Sequence, residues 1–204
     1  MTGSLLPRPT TERLDRALRL FVRFLLASAL LFLVWRVMDE AYLRLLTQIV
    51  NGLFFLTDEP ARFALQDGAL VVNLMGFGRP LSLQLGGNHI FYLNLIVGIA
   101  LFAATPAADW RWQVKWAGWV LLLTGATHLV SLWYGPELIF QDFLLSLSPT
   151  DRMQLLELGG DIWRDRAEPG LATPIFAAWR HFGRLGFVVV IWLFASRNYL
   201  RLSR

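Results

Sequence analysis

The stretch LFVRFLLASALLFLVWRV, Leu20–Val37, decides the class of fold. It approaches the roughly 20 apolar residues that a helix needs to cross a bilayer. Basic residues precede it, as they precede a signal peptide. The stretch is long, however, and no small-x-small cleavage site follows, so it reads as an uncleaved first membrane helix. Three more apolar runs follow: Phe91–Ala108, Ala117–Tyr134 and Phe182–Ala195. The last is short, but it reaches spanning length if its helix starts near Pro174, because proline suits a first helical turn. The expected fold is therefore an all-α membrane protein, a single domain over residues 1–204. Its four transmembrane helices run over 20–38, 89–108, 116–134 and 174–198, and its outer segments over 39–88 and 135–173.

Composition agrees. Of 204 residues, 55% are hydrophobic and 17% charged, on the membrane side of the averages for soluble proteins. Cysteine is absent, which removes disulfides, thiolate metal sites and cysteine nucleophiles together. The net charge of +4 does not point to nucleic acid, since the basic residues flank apolar runs and form no basic domain of their own. They report topology instead. Arg8, Arg13, Arg16, Arg19 and Arg23 precede the first helix. Arg111 and Lys115 fill the link between the second and third, and Arg197, Arg201 and Arg204 close the chain. Basic flanks stay on the cytoplasmic side, so an even helix count places both termini there, in a multi-pass protein of a bacterial inner membrane. Trp110, Trp112 and Trp116 would mark the cytoplasmic interface, and Trp133 and Tyr134 the outer one.

The outer segments are long enough to fold. Leu43, Leu46, Ile49, Val50 and Leu53 recur at helical spacing, so the first helix continues outward or turns along the membrane surface. Arg62–Gln66 and Ala69–Leu74 flank Asp67-Gly68, a pair suited to the positive φ angles of a two-residue hairpin. Leu81, Leu83 and Leu85 alternate with polar residues and suggest a third short strand, giving a small antiparallel β element outside the membrane. Leu138–Leu147 and a helix capped by Thr150, with Leu155, Leu158 and Ile162 on one face and an interruption at Gly159-Gly160, read as interfacial helices.

No standard catalytic pattern is present. Gly76-Phe77-Gly78 lacks the third glycine of a dinucleotide loop, and no phosphate-loop lysine, paired-histidine zinc motif or nucleophile elbow occurs. No catalytic residue is assigned. One polar constellation emerges from the topology: Asn88 and His89 enter the second helix from outside, Asn94 follows, and Arg180, His181 and Arg184 precede the fourth. His128 lies on the third helix about 18 Å beyond Trp116, at similar depth, with Thr124, Thr127 and Ser131 nearby. Polar residues inside a membrane face the bundle interior and mark functional sites, or simply bond a neighbouring helix. Should any metal or tetrapyrrole bind, His89, His128 and His181 are its candidate ligands. Arg180 and Arg184, one turn apart, suit a carboxylate or lipid phosphate, or plain snorkelling at a helix end.

From the hairpin onward the layout resembles the exosortase and archaeosortase membrane proteins, and still more the small membrane proteins that accompany exosortases. In that family a cysteine opens one helix from outside, an arginine lies near the outer end of the next, and a histidine opens a later helix. Leu85-Gly86-Gly87-Asn88-His89-Ile90 stands where the cysteine segment would be. Gly125-Ala126-Thr127-His128-Leu129-Val130 resembles the arginine segment, and His181-Phe182-Gly183-Arg184-Leu185-Gly186-Phe187 the histidine segment. Only His181 carries over; the nucleophile position holds Asn88 or His89 and the arginine position His128. The resemblance therefore implies a non-catalytic relative or companion.

Three functions are open. The first is a non-enzymatic accessory or scaffolding subunit of a membrane assembly, linked to exosortase-type sorting and partnered by lipid and other membrane subunits. The second is a pigment- or haem-binding subunit. The third is a membrane enzyme or lipid-handling protein using His181 or His128 as a base. No cofactor is assigned.

Overall fold

A computed structural model describes residues 9–85, 89–105, 108–168, 170, 174–175, 178–179 and 183–201. Among these the elements run α1 (Pro9–Leu56), β1 (Ala61–Gln66), β2 (Ala69–Leu74), β3 (Leu81–Gln84), α2 (His89–Ala104), α3 (Trp110–Trp133), α4 (Gly135–Ser146), α5 (Pro149–Ala167) and α6 (Arg184–Arg201). The chain is mostly helical with one small antiparallel sheet, as expected.

Helix α1 is one uninterrupted rod of 48 residues, about 72 Å long at 1.5 Å per residue. Nothing within it breaks a helix. Its proline stands at the first position, where no intrahelical N–H is needed, and its single glycine, Gly52, comes near the end. The stop is built from Asp58, held at φ 52°, so that the Glu59 N–H returns to the Phe54 carbonyl at 2.9 Å, with Pro60 directly beyond. Residues 39–55 continue α1 without a turn.

The sheet has the order β1-β2-β3. Asp67 and Gly68 adopt φ of 51° and 75°, the mirror-image turn that matches the twist of a hairpin, and this pairs Gln66 with Ala69. The register aligns Phe63, Val72 and Leu83 in one row across the sheet. Because side chains alternate faces, that row is buried as a unit. It packs on the C-terminal part of α1 through Leu46, Val50 and Phe54, and Phe140, Leu144 and Trp163 from α4 and α5 complete the core of a sheet-bearing head.

Helix α5 departs from expectation in two ways. Its cap is Ser148, not Thr150: the Ser148 hydroxyl accepts the Asp151 N–H at 3.2 Å. Pro149 favours the first helical position, which makes the residue before it the cap and leaves Thr150 inside the first turn. In addition, Leu158 and Ile162 are exposed, while Gly159 and Trp163 are buried. Gly160, at φ 62°, interrupts the helix as the glycine pair suggested, but the packed face keeps its three- and four-residue steps across it, through Leu155, Leu156, Gly159 and Trp163, one position beyond Leu158 and Ile162.

The remaining helices form a bundle in which α2 packs on α1, α3 and α6. Gly98 lets three of them approach closely: a Cβ there would lie 2.6 Å from Val120 of α3 and 2.7 Å from Val188 of α6. At the inner end Phe102, Val120 and Trp192 are buried with Trp112 and Trp116, and the Trp192 indole N–H donates to the Thr105 hydroxyl at 2.9 Å.

Helix α2 ends four residues earlier than expected, and α3 begins at Trp110, so the three tryptophans lie within its first turns. Residues 174–175 and 178 are helical ahead of α6, while 176–177 and 180–182 of the expected fourth span lie outside the described residues. Among the described residues, two segments are long and apolar enough to cross a membrane, Ala17–Leu56 and Trp110–Trp133. The apolar stretches Leu93–Ala104 and Leu185–Arg197 are shorter than that, where four full-length spans were expected.

Candidate functional site

The buried residues of α3, Val120, Thr124, His128, Ser131 and Leu132, recur every three or four positions and form one inward stripe. His128 on that stripe is fully buried, and its Nδ1 lies 2.6 Å from the hydroxyl of Tyr42 on α1. Which of the two supplies the proton depends on the imidazole tautomer. Trp35, seven residues before Tyr42, meets its ring edge-on at 5.1 Å. A short hydrogen bond between groups 86 residues apart thus fastens α1 to α3.

Around this pair most hydroxyls are already engaged. Thr127 donates to the Thr124 carbonyl at 2.8 Å and Ser131 to the Thr127 carbonyl at 2.6 Å, both within their own helix. The Thr124 hydroxyl is buried and has no hydrogen-bond partner among the described residues. Asn94 is buried on α2, and its side-chain oxygen accepts the Leu95 N–H at 3.1 Å. Asn94 lies one turn outward from Gly98, and Thr124 one turn outward from Val120. The Gly98–Val120 contact therefore sets the two polar residues at one level of the antiparallel helices.

Of the residues expected at the site, the fold brings Asn94 and His128 into the bundle interior. His89 opens α2, and Arg184 opens α6 one turn before Val188. The side chains of His89 and Arg184, and Asn88, Arg180 and His181 altogether, lie outside the described residues. Among the described residues no group of three His, Asp or Glu is placed to hold a metal ion.

Sequence reasoning did not single out Tyr42, the partner of His128. Its signal was present: Trp35, Tyr42 and Leu46 lie at i, i+7 and i+11, continuing the bundle-facing stripe of α1. Three fastenings of the sheet-bearing head were likewise missed. The Asn51 side chain pairs with both backbone groups of Phe63, donating to its carbonyl and accepting its N–H, each at 2.8 Å. The Trp163 indole N–H donates to the Met75 carbonyl at 2.6 Å. Arg166 pairs with Glu59 through both carboxylate oxygens. Asn51 does the work of a neighbouring strand, closing the β1 edge against pairing with another chain.

Compared with known proteins, the chain matches no family model, no curated protein and no solved structure.

Proposed function

We propose that this chain is a four-helix protein of a bacterial inner membrane, with both termini cytoplasmic. In this reading it serves as a non-enzymatic scaffolding subunit of a membrane assembly, of the kind that accompanies exosortase-type protein sorting. The observation that carries the reading is the continuity of α1, whose middle joins the bundle through Tyr42 and His128 and whose outer half is the floor of the head core. A rigid rod shared by both parts transmits position across a membrane without a hinge.

The polar chemistry supports the same reading. His128 is engaged by a phenol in a closed interhelical seam, and the hydroxyls beside it are mostly spent on their own backbone. Helices α2 and α6 serve as spans here with their interfacial flanks included. Short spans are accommodated by local thinning of the bilayer and snorkelling of flanking residues.

A mild-detergent purification from the native membrane, with mass spectrometry of what accompanies the chain, tests the role. Stoichiometric recovery of a protein-sorting enzyme or its substrates supports it. Recovery of this chain alone contradicts it, and a bound chromophore in the visible spectrum would replace it with the pigment-binding reading.

A further inference from the structure

The basic residues of this chain are unevenly spread. Residues 1–23, 109–115 and 197–204 hold ten of the nineteen arginines and lysines but three of the fifteen acids, Glu12, Asp15 and Asp109, a net +7. The rest of the chain carries nine basic residues against twelve acids, a net −3. The fold gathers the three basic segments at one end of the bundle. Leu20 of α1, Trp112 and Trp116 of α3 and Ala195 of α6 all pack against Phe102, Val120 and Trp192. Arg19, Arg23, Arg111, Lys115 and Arg197 each lie within one helical turn of one of those four. They form a collar around the end of the bundle away from the sheet.

All five side chains are exposed, and none forms an ion pair among the described residues. The ion pairs of those residues lie towards the other end: Arg44 with Glu40 past the middle of α1, and Arg164 with Asp161 and Arg166 with Glu59 in the head. Two collar arginines lie over aromatic rings, Arg111 over Trp110 at 5.7 Å and Arg197 over Phe194 at 4.9 Å. Trp110 is itself exposed, as is Trp119 further along α3. Indole rings left open beside cations suit the level where headgroups meet acyl chains. Retention of basic flanks accounts for the side these residues take, but it leaves five exposed cations without a counter-charge from the described residues.

We infer that the collar binds anionic phospholipid, with the phosphodiester groups held by Arg19, Arg23, Arg111, Lys115 and Arg197. The inference rests on the transmembrane reading above, which puts the collar at headgroup depth. Charge selects the kind of lipid. A zwitterionic headgroup carries an ammonium that competes with the arginines for its own phosphate, whereas a headgroup of net negative charge brings the counter-charge that the collar lacks. Arginine suits phosphate in particular, since its planar fork donates two parallel hydrogen bonds. The surface also selects lipid over an acidic protein. The cations are interleaved with exposed apolar residues, Leu18, Phe21, Val22 and Leu25 on α1 and Val114 on α3, so it offers charge and hydrocarbon contact together, as the two parts of a phospholipid require.

Reconstitution of the purified full-length protein in phosphatidylcholine bilayers tests this through its tryptophans. Acyl-brominated phosphatidylglycerol or acyl-brominated phosphatidylcholine is added at the same mole fraction, and the quenching of tryptophan fluorescence is compared. Phosphatidylglycerol should associate at least roughly five-fold more strongly, the factor that one basic contact supplies. The preference should fall towards one in Arg111→Gln with Lys115→Gln and in Arg19→Gln with Arg23→Gln, and stay unchanged in Arg164→Gln of the head. Should a collar variant fail to reconstitute, the wild-type chain in about 1 M salt makes the same test, because the Debye length is then about 3 Å. Equal quenching by the two lipids overturns the inference, as does a preference that the collar substitutions or salt leave intact. Quenching by neither lipid contradicts the transmembrane reading instead.

Discussion

The sheet-bearing head and the bundle hold themselves together differently. The head has a dry core of its own, with Val50, Phe54, Phe140 and Trp163 fully buried, and its irregular segments are tied down by specific hydrogen bonds to backbone. The bundle buries far less of what it carries. Among the described residues of α1 none before Leu43 is buried, and short rows such as Phe102, Val120 and Trp192 close between helices. In the proposed reading, a bundle that leaves its apolar surface outside depends on lipid or another helix for its order, and its few internal polar contacts select the arrangement more than they drive it.

That contrast can be broken first at Trp163. Trp163→Ala removes a fully buried ring that packs on Phe77 and Phe140 and bonds the Met75 carbonyl. The head should lose about 3–5 kcal/mol, read by urea unfolding in detergent, while the bundle stays protected from protease. Loss of both regions together would mean that they do not form separate cores. The bundle is most sensitive at Gly98. Gly98→Val drives a branched side chain into Val120 and Val188 and should cost about 1–3 kcal/mol or more, lowering the melting temperature of the bundle with little effect on the head.

Asn51→Ala should cost the head roughly 2 kcal/mol, about 1 for each bond to Phe63. It should also open the β1 edge, so that oligomers appear in size-exclusion chromatography; Asn51→Asp keeps the acceptor alone and should fall between the two. The smallest expected effect is that of Tyr42→Phe, which keeps the ring beside Trp35 and removes the hydroxyl from His128. Interhelical bonds of this kind contribute about 0.6–1.7 kcal/mol in membranes. A change of that size confined to the bundle fits a fastening, whereas loss of a biochemical activity without loss of stability would point to a catalytic His128.

How legible each region was in the sequence follows the same division. Asp67-Gly68 named the hairpin, and the alternation of Leu81 and Leu83 named the third strand, because turn chemistry and a period of two are local. The continuation of α1 through residue 56 was legible as apolar spacing but not as a choice between extending and turning, which the packing of Leu46, Val50 and Phe54 on the sheet decides. Ser148 lost to Thr150 in the reading because the proline after it was not weighed as a first helical residue. The buried face of α5 was missed because it runs through Gly159, which has no side chain to mark it, to Trp163, one position beyond the leucine and isoleucine of the expected stripe. Tyr42–His128 and Asn51–Phe63 depend on pairings across 86 and 12 residues, which no local pattern specifies. Asn94 and His128 were legible as polar residues on apolar helices, and both are buried.

The central claim is that the sheet-bearing head and the link between α2 and α3 lie on opposite sides of a membrane. Single cysteines at Gln66 and Lys115, both exposed, can be labelled with a membrane-impermeant maleimide in spheroplasts of the native host, before and after lysis. The account predicts that the cysteine at 66 labels in intact spheroplasts and that the cysteine at 115 labels only after lysis. Labelling of both before lysis, or of neither, would contradict it.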